Sequence, residues 1–143
     1  MSHTDPLPDG ASVLLRRRIE WIDTDAAGIY HYTTVFRLAE AAEARMHTAL
    51  GIAGRTFGAT PRVGLEMRFK RSLRFNDEVQ ATLAVAALGR TSVRYAFTLT
   101  GPDGVAAEGV LTACLVDGAT GRAMPWPDDM RRLLASGGRL DAD

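Results

Sequence analysis

A single cysteine, Cys114, stands among 143 residues, which excludes an internal disulfide framework and fits a reducing compartment. It falls in the apolar run 110–116, where a thiol is expected to be a buried packing group. No stretch approaches the roughly 20 apolar residues that a membrane span requires. The opening MSHTDPLPDG is polar and turn-rich, and the short VLL run after it meets three arginines, so it does not read as a signal peptide. An excess of charge is missing as well. Lys plus Arg and Asp plus Glu number 17 each, so no bulk field calls for nucleic acid or a membrane surface. Neither G-x-S-x-G, G-x-G-x-x-G nor a Walker loop occurs, which argues against a serine elbow and against a nucleotide cofactor. The histidines, His3, His31 and His47, are scattered, and with Cys114 remote from them no zinc site is supported. Repeats and low-complexity tracts are absent. These absences leave a cytoplasmic chain with no metal and no cofactor as the expectation.

What is present has globular proportions: 46% hydrophobic and 24% charged residues. One domain over 1–143 is expected, with flexible tails at 1–11 and 138–143. Between Ser12 and Ile22, Val13, Leu15, Ile19 and Trp21 share one parity, which predicts a strand. Residues 23–32 read as a turn with Gly28 as its breaker. From Thr33 the period becomes helical: Val35, Leu38, Ala42, Met46 and Ala49/Leu50 make one stripe ending near Gly51, with Thr33 or Thr34 as N-cap. After a Gly-rich link the period falls to two, in Val63 to Phe69, Val79 to Val85, Val93 to Leu99 and Val105 to Val116. Asn76-Asp77, Gly89-Arg90 and GPDG mark the turns between these strands, and their short lengths demand antiparallel pairing. A short terminal helix fits PWPDDMRRLLASG. The fold class is therefore α+β, one long helix wrapped by a curved antiparallel sheet of about five strands. One helix cannot cover such a sheet, so a second copy is expected, as a homodimer or a homotetramer.

The chemistry concentrates in WIDTDAAGIYHY, residues 21–32. A carboxylate before a helix is ordinary dipole and turn chemistry. It is also half of an acyl-transfer site, because on a strand end Asp23 and Asp25 share parity and can face one cleft. Gly28 would let the backbone approach a ligand. The helix start at Tyr32 offers free N–H groups to a developing oxyanion, and an acid opposite them can attack as nucleophile or activate water. The residues alone leave both readings open.

DTDAAGIYHY, with a strand before it and an alanine-rich helix after it, resembles the signature of the 4-hydroxybenzoyl-CoA thioesterase family of hotdog-fold acyl-CoA thioesterases. The resemblance runs from about Arg17 to Val116 and includes FKRSLRFNDEV, where Ser72 stands in place of a common proline. It implies hydrolysis of an acyl-CoA to the free acid and CoA, with Asp25 as the catalytic carboxylate. It also implies the Tyr32 backbone N–H as oxyanion donor, Gly28 as the motif glycine and Asp23 as a supporting acid. Glu40 falls where some members contact the acyl group. His31 is a further supporting candidate, although its spacing from Asp25 does not match that of hotdog hydratases. Coenzyme A carries phosphates, for which arginine is well suited. Arg90, in the turn GRTS, best matches the family's basic hairpin, followed by Arg68, Lys70 and Arg71. Trp21, Tyr30 and Phe36 make aromatic, hydroxybenzoyl-like acyl groups plausible. Acyl carrier protein is an alternative carrier, and a non-catalytic acyl-CoA binding module is the alternative from another class. The resemblance places the site between subunits.

Overall fold

A computed structural model describes residues 5–140. Five strands form one antiparallel sheet: β1 (Ser12–Arg18), β2 (Arg62–Phe69), β3 (Glu78–Leu88), β4 (Ser92–Gly101) and β5 (Gly104–Cys114). Their spatial order is β1-β3-β4-β5-β2. The long helix α1 (Tyr32–Ala49) lies on one face, a single turn α2 (Ala53–Thr56) follows it, and α3 (Asp128–Ser136) closes the chain. The expected α+β architecture, a long helix against a five-stranded antiparallel sheet, is the observed one.

The stripe read from the sequence is the buried face of α1: Val35, Leu38, Ala39, Ala42 and Met46. It packs on β1 and β3, against Val13, Leu15, Ala81, Leu83 and Val85. Alanines at 39 and 42 let the helix axis approach the sheet, while each buried Leu or Val contributes about 1.5–3 kcal/mol. The register of β3 on β4 shifts between Val85 and Ala87, a bulge of the kind that bends a strand around its helix. At the other end of the sheet, Gly109 is required by contact: a Cβ there would lie 2.0 Å from the Glu66 carbonyl oxygen on β2.

Three boundaries differ from expectation. The first strand stops at Arg18, opposite Glu78, where the ladder with β3 ends. Trp21 to Asp23 form a 3-10 turn instead, and Trp21 and Ile22 are 76% and 87% exposed. The described parts of the expected tails are held in the fold. Leu7 donates its N–H to Val85, Ala11 to Leu134 and Leu140 to Ser12, and Leu7 and Leu140 pack on the core. Residues 1–4 and 141–143 of those tails lie outside the described residues. Cys114 is half-buried, not buried, with its thiol 3.6 Å from the Thr91 hydroxyl.

The two sheet edges are unlike. The β1 edge is partly covered by a bridge from Ser12 to Arg139, and it carries Arg16–Arg18. The β2 edge is bare, with Val63, Leu65 and Phe69 about half-exposed or more. Among the described residues no helix is long and apolar enough to cross a membrane.

A polar cluster lies inside the core. His47, 1% exposed, places Nδ1 2.6 Å from the Thr56 hydroxyl and Nε2 2.7 Å from the Tyr95 hydroxyl. Beside it Glu43 and Arg62 form a two-pronged ion pair at 2.6 and 2.8 Å. Burial lowers the His47 pKa below its ordinary 6.5, Glu43 opposing this and Arg62 assisting it. In the unfolded chain His47 takes its proton near 6.5, whereas in the fold it does so only at lower pH. The unfolded state therefore binds more protons in that window, and stability is lost as pH falls below 6.5 toward the folded value. Thermal melts between about pH 7 and pH 5 should show Tm falling with pH. His47→Gln should start from a lower Tm at neutral pH and show a shallower fall.

Candidate active site

The residues between β1 and α1 fold as a tight loop fixed at both ends. Thr24 and Tyr30 form an antiparallel bridge, and Ile29 bridges to Arg74 in the β2–β3 connection. Tyr30 donates its N–H to the Leu73 carbonyl at 2.8 Å, and Asp25 donates to Ile29 at 2.9 Å. Gly28 N–H closes the turn onto the Asp25 carbonyl at 3.0 Å, and Gly28 itself has φ +81°. No atom lies within 4 Å of where a Gly28 Cβ would stand. Its requirement within the chain is thus the left-handed backbone rather than room for a neighbour.

The two aspartates diverge. They do not share a strand, because the strand ends first and the 3-10 turn rotates Asp23 inward. Asp23 is 3% exposed. One carboxylate oxygen accepts the Glu20 N–H at 2.8 Å, and the other pairs with the Arg37 guanidinium on α1. Its carbonyl accepts the His31 N–H and the Thr34 hydroxyl. Asp25 is exposed. Its Oδ1 accepts the Ala27 N–H at 2.8 Å, which fixes the rotamer, and its Oδ2 has no partner among the described residues.

Helix α1 is capped by His31 rather than by Thr33 or Thr34. Its Nδ1 is engaged by the Thr33 N–H at 3.2 Å and by the Thr33 hydroxyl at 2.7 Å, and its ring stacks on Tyr32 at 4.6 Å. The imidazole replaces the hydroxyl cap because the chain is still extended at His31 (φ −74°, ψ 140°), one residue before the helix begins. With Nδ1 occupied in capping and no hydrogen bond to Asp25 among the described residues, His31 serves the helix start. The Tyr32 N–H makes no hydrogen bond among the described residues.

Asp25, Ile29, Tyr30, Tyr32, Phe69, Lys70, Arg71 and Ser72 line one open groove of about 380 Å³. The motif acid, the helix start and the two basic residues after β2 therefore meet. Lys70 is tied to Glu108 at 2.5 Å. Larger hollows, of about 450 and 530 Å³, lie where strand arginines and glutamates face solvent. Arg68 lies in the first of these beside Glu66 and Glu108, not in the groove. Arg90 is exposed on the β3–β4 turn, where its carbonyl accepts the Trp126 N–H, and it does not line the groove. Glu40 is exposed on α1, also outside the groove, and close enough to Arg62 to raise that guanidinium's pKa. Trp21 packs on Phe75 as a tilted pair, ring centroids 5.3 Å apart, in a separate hollow.

Two residues went unassigned in the sequence. Arg37 has no local signal, since its partner is 14 positions away. Tyr30 reads only as an aromatic, yet it is 7% exposed and its hydroxyl is the one buried side-chain polar atom without a hydrogen bond among the described residues. Burial raises its pKa above the usual 10.0, so it is a neutral donor at working pH.

A long helix wrapped by an antiparallel sheet, with a carboxylate beside the helix start, defines the hotdog class. A sequence profile of the thioesterase-like superfamily matches residues 19–134, and the chain belongs to that superfamily. It is a thioester hydrolase. Solved structures agree on the fold. A gentisyl-coenzyme A thioesterase is 25% identical with TM-score 0.74, covering 85% of this chain and 98% of its own. A thioesterase from Thermus thermophilus, complexed with coenzyme A and zinc, is 24% identical with TM-score 0.77, covering 85% and 92%. A 1,4-dihydroxy-2-naphthoyl-CoA thioesterase from Synechocystis is 12% identical with TM-score 0.77, covering 86% and 95%. A search of curated protein sequences finds no match.

Asp23→Ala would leave the Glu20 N–H unpaired and Arg37 without its carboxylate. It is expected to cost about 2–3 kcal/mol of stability, measured as a shift in the denaturant midpoint at unchanged m-value.

Proposed function

We propose that the chain hydrolyses an acyl-CoA to the free acid and CoA, with Asp25 supplying the reactive carboxylate. The observation that carries this is the juxtaposition in one groove of Asp25 and Tyr32, whose Oδ2 and backbone N–H respectively have no hydrogen-bond partner among the described residues. A thioester carbonyl oxygen at the helix start would accept the Tyr32 N–H, aided by the helix dipole. Asp25 Oδ2 then attacks the carbonyl carbon and CoA leaves as the thiolate, giving an acyl-aspartyl anhydride that water hydrolyses. Alternatively the same oxygen takes a proton from the attacking water. Lys70 and Arg71 would attract the anionic ligand, while Arg68 and Arg90 do not line the groove. Asp23 and His31 support the site through the loop and the helix cap, Gly28 through its backbone. The gentisyl-coenzyme A thioesterase at 25% identity supports an aromatic acyl group. Thioester hydrolysis of this kind needs no metal and no cofactor beyond the CoA in the substrate, and a cytoplasmic location fits it. Acyl carrier protein, which presents the same phosphopantetheine arm, is the alternative carrier.

A second copy of the chain belongs on the β2 edge, where unpaired backbone groups run beside Val63, Leu65 and Phe69. Phe69 also lines the groove, so such a pairing would wall the site. Sedimentation should show a dimer or tetramer, and Leu65→Glu should shift it to monomer.

Thiol release over a panel of acyl-CoA and acyl carrier protein thioesters tests the chemistry. Asp25→Asn is expected to lower kcat by about 100-fold or more while its Tm stays close to that of the parent, because the side chain is exposed. Unchanged turnover in that variant would remove Asp25 from the mechanism.

A further inference from the structure

Trp21, Ile22 and Phe75 are 76%, 87% and 51% exposed, and none of them lines the groove. The rings of Trp21 and Phe75 are paired, and Ile22 follows Trp21 on the same 3-10 turn. Pairing along β2 would cover Val63, Leu65 and Phe69. The Trp21 turn instead follows β1, the other edge of the sheet, so its apolar cluster would stay in water. An apolar cluster of this kind marks an interaction site.

Shape and charge say what fits there. Beside the paired rings lies a hollow of about 400 Å³, lined also by Arg18, Ile19, Glu20 and Asn76. Each copy thus carries exposed rings with a hollow next to them, as a two-fold contact requires, because the same patch must meet itself. The rim is balanced in charge. Arg18 pairs with Glu78 at 2.5 Å, Glu20 lines the same hollow, and Arg74 precedes Phe75. An anionic bilayer or an acidic carrier protein is drawn by a basic field, which two bases against two acids do not supply. A second copy of the same rim meets no net repulsion.

Area sets the order of assembly. At these exposures the three side chains present about 400 Å² on each copy. One contact then buries about 800 Å² in all, short of the roughly 1,200–2,000 Å² of a stable interface. A pair of copies joined at β2 presents the patch twice. Two such dimers meeting through both patches bury about 1,600 Å², which is sufficient, and the second contact forms within an already joined complex.

We infer that the patch of Trp21, Ile22 and Phe75 docks a second copy of this chain and joins β2-paired dimers into a closed tetramer. This rests on the β2-edge pairing proposed above and supplies the interface that pairing lacks. The turn Trp21–Asp23 ends in the buried Asp23, so the contact braces the loop that leads to Asp25.

The test is sedimentation equilibrium of the full chain over a range of concentrations, with thermal melts to confirm folding. The parent should approach the mass of four copies. Trp21→Asp and, separately, Ile22→Asp should halve that mass at a Tm close to the parent's, because both side chains are exposed, whereas Trp21→Phe should keep it. Trp21 emission should move to shorter wavelength as the concentration rises, while Trp126, 3% exposed, contributes a constant background. A parent that stops at two copies overturns the inference, including one that then sediments with anionic vesicles or binds acyl carrier protein through Trp21. A Trp21→Asp variant that keeps the parental mass overturns it too. Failure of the β2 reading alone looks different: Leu65→Glu would keep the parental mass and Trp21→Asp would be monomeric.

Discussion

The buried carboxylate of Asp23 sets the geometry on which the site depends. Its two oxygens hold the Glu20 N–H and the Arg37 guanidinium, and its carbonyl holds the His31 N–H and the Thr34 hydroxyl. One residue thereby joins the 3-10 turn after β1 to the first two turns of α1. That tie adds to the bridges of Thr24 with Tyr30 and of Ile29 with Arg74, which hold the loop carrying Asp25 beside the helix start. Catalysis by an acid facing an oxyanion donor needs the two at a fixed separation, and the inward aspartate provides it. The Glu20–Asp23 turn follows directly on the end of the β1–β3 ladder at Arg18, so the early end of that strand makes room for the turn that orients Asp23.

Alternation and helical period made the sheet and α1 legible in the sequence, because burial on one face of a regular element leaves a local pattern. Val35, Leu38, Ala42 and Met46 are that pattern, and all four are buried. The breaks in regularity were not legible. Trp21 continues the parity of Val13 and Leu15 yet is exposed, because whether a strand continues depends on whether its neighbour still runs beside it. The partners of buried polar groups were equally hidden. His47 reaches Tyr95 across 48 positions, a contact that no window on the sequence contains.

Within the motif, Asp25 and Tyr32 line one groove, whereas Asp23 is turned inward. The basic residues divide. Lys70 and Arg71 line the groove because they follow β2 in the connection that bridges to the motif loop, whereas Arg68 lies in a separate hollow beside Glu66 and Glu108. His31 has the right neighbourhood and a different task. An imidazole just before a helix has free N–H groups within reach, and Nδ1 takes the one from Thr33.

The cations in the groove bear on how Asp25 stays reactive. A carboxylate beside a lysine and an arginine would ordinarily form an ion pair, which would occupy its lone pairs and weaken it as nucleophile or base. Here Lys70 is committed to Glu108 across the β2–β5 ladder, and the Arg71 guanidinium lies against Gly104 at the start of β5. Asp25 spends one oxygen on its own loop and keeps the other. The positive charge therefore acts on the ligand through its field, which reaches over several ångströms, while the short-range bonding capacity of the acid is left for the substrate. Attraction of an anionic thioester and preservation of a free carboxylate are compatible because the sheet, rather than the acid, holds the lysine.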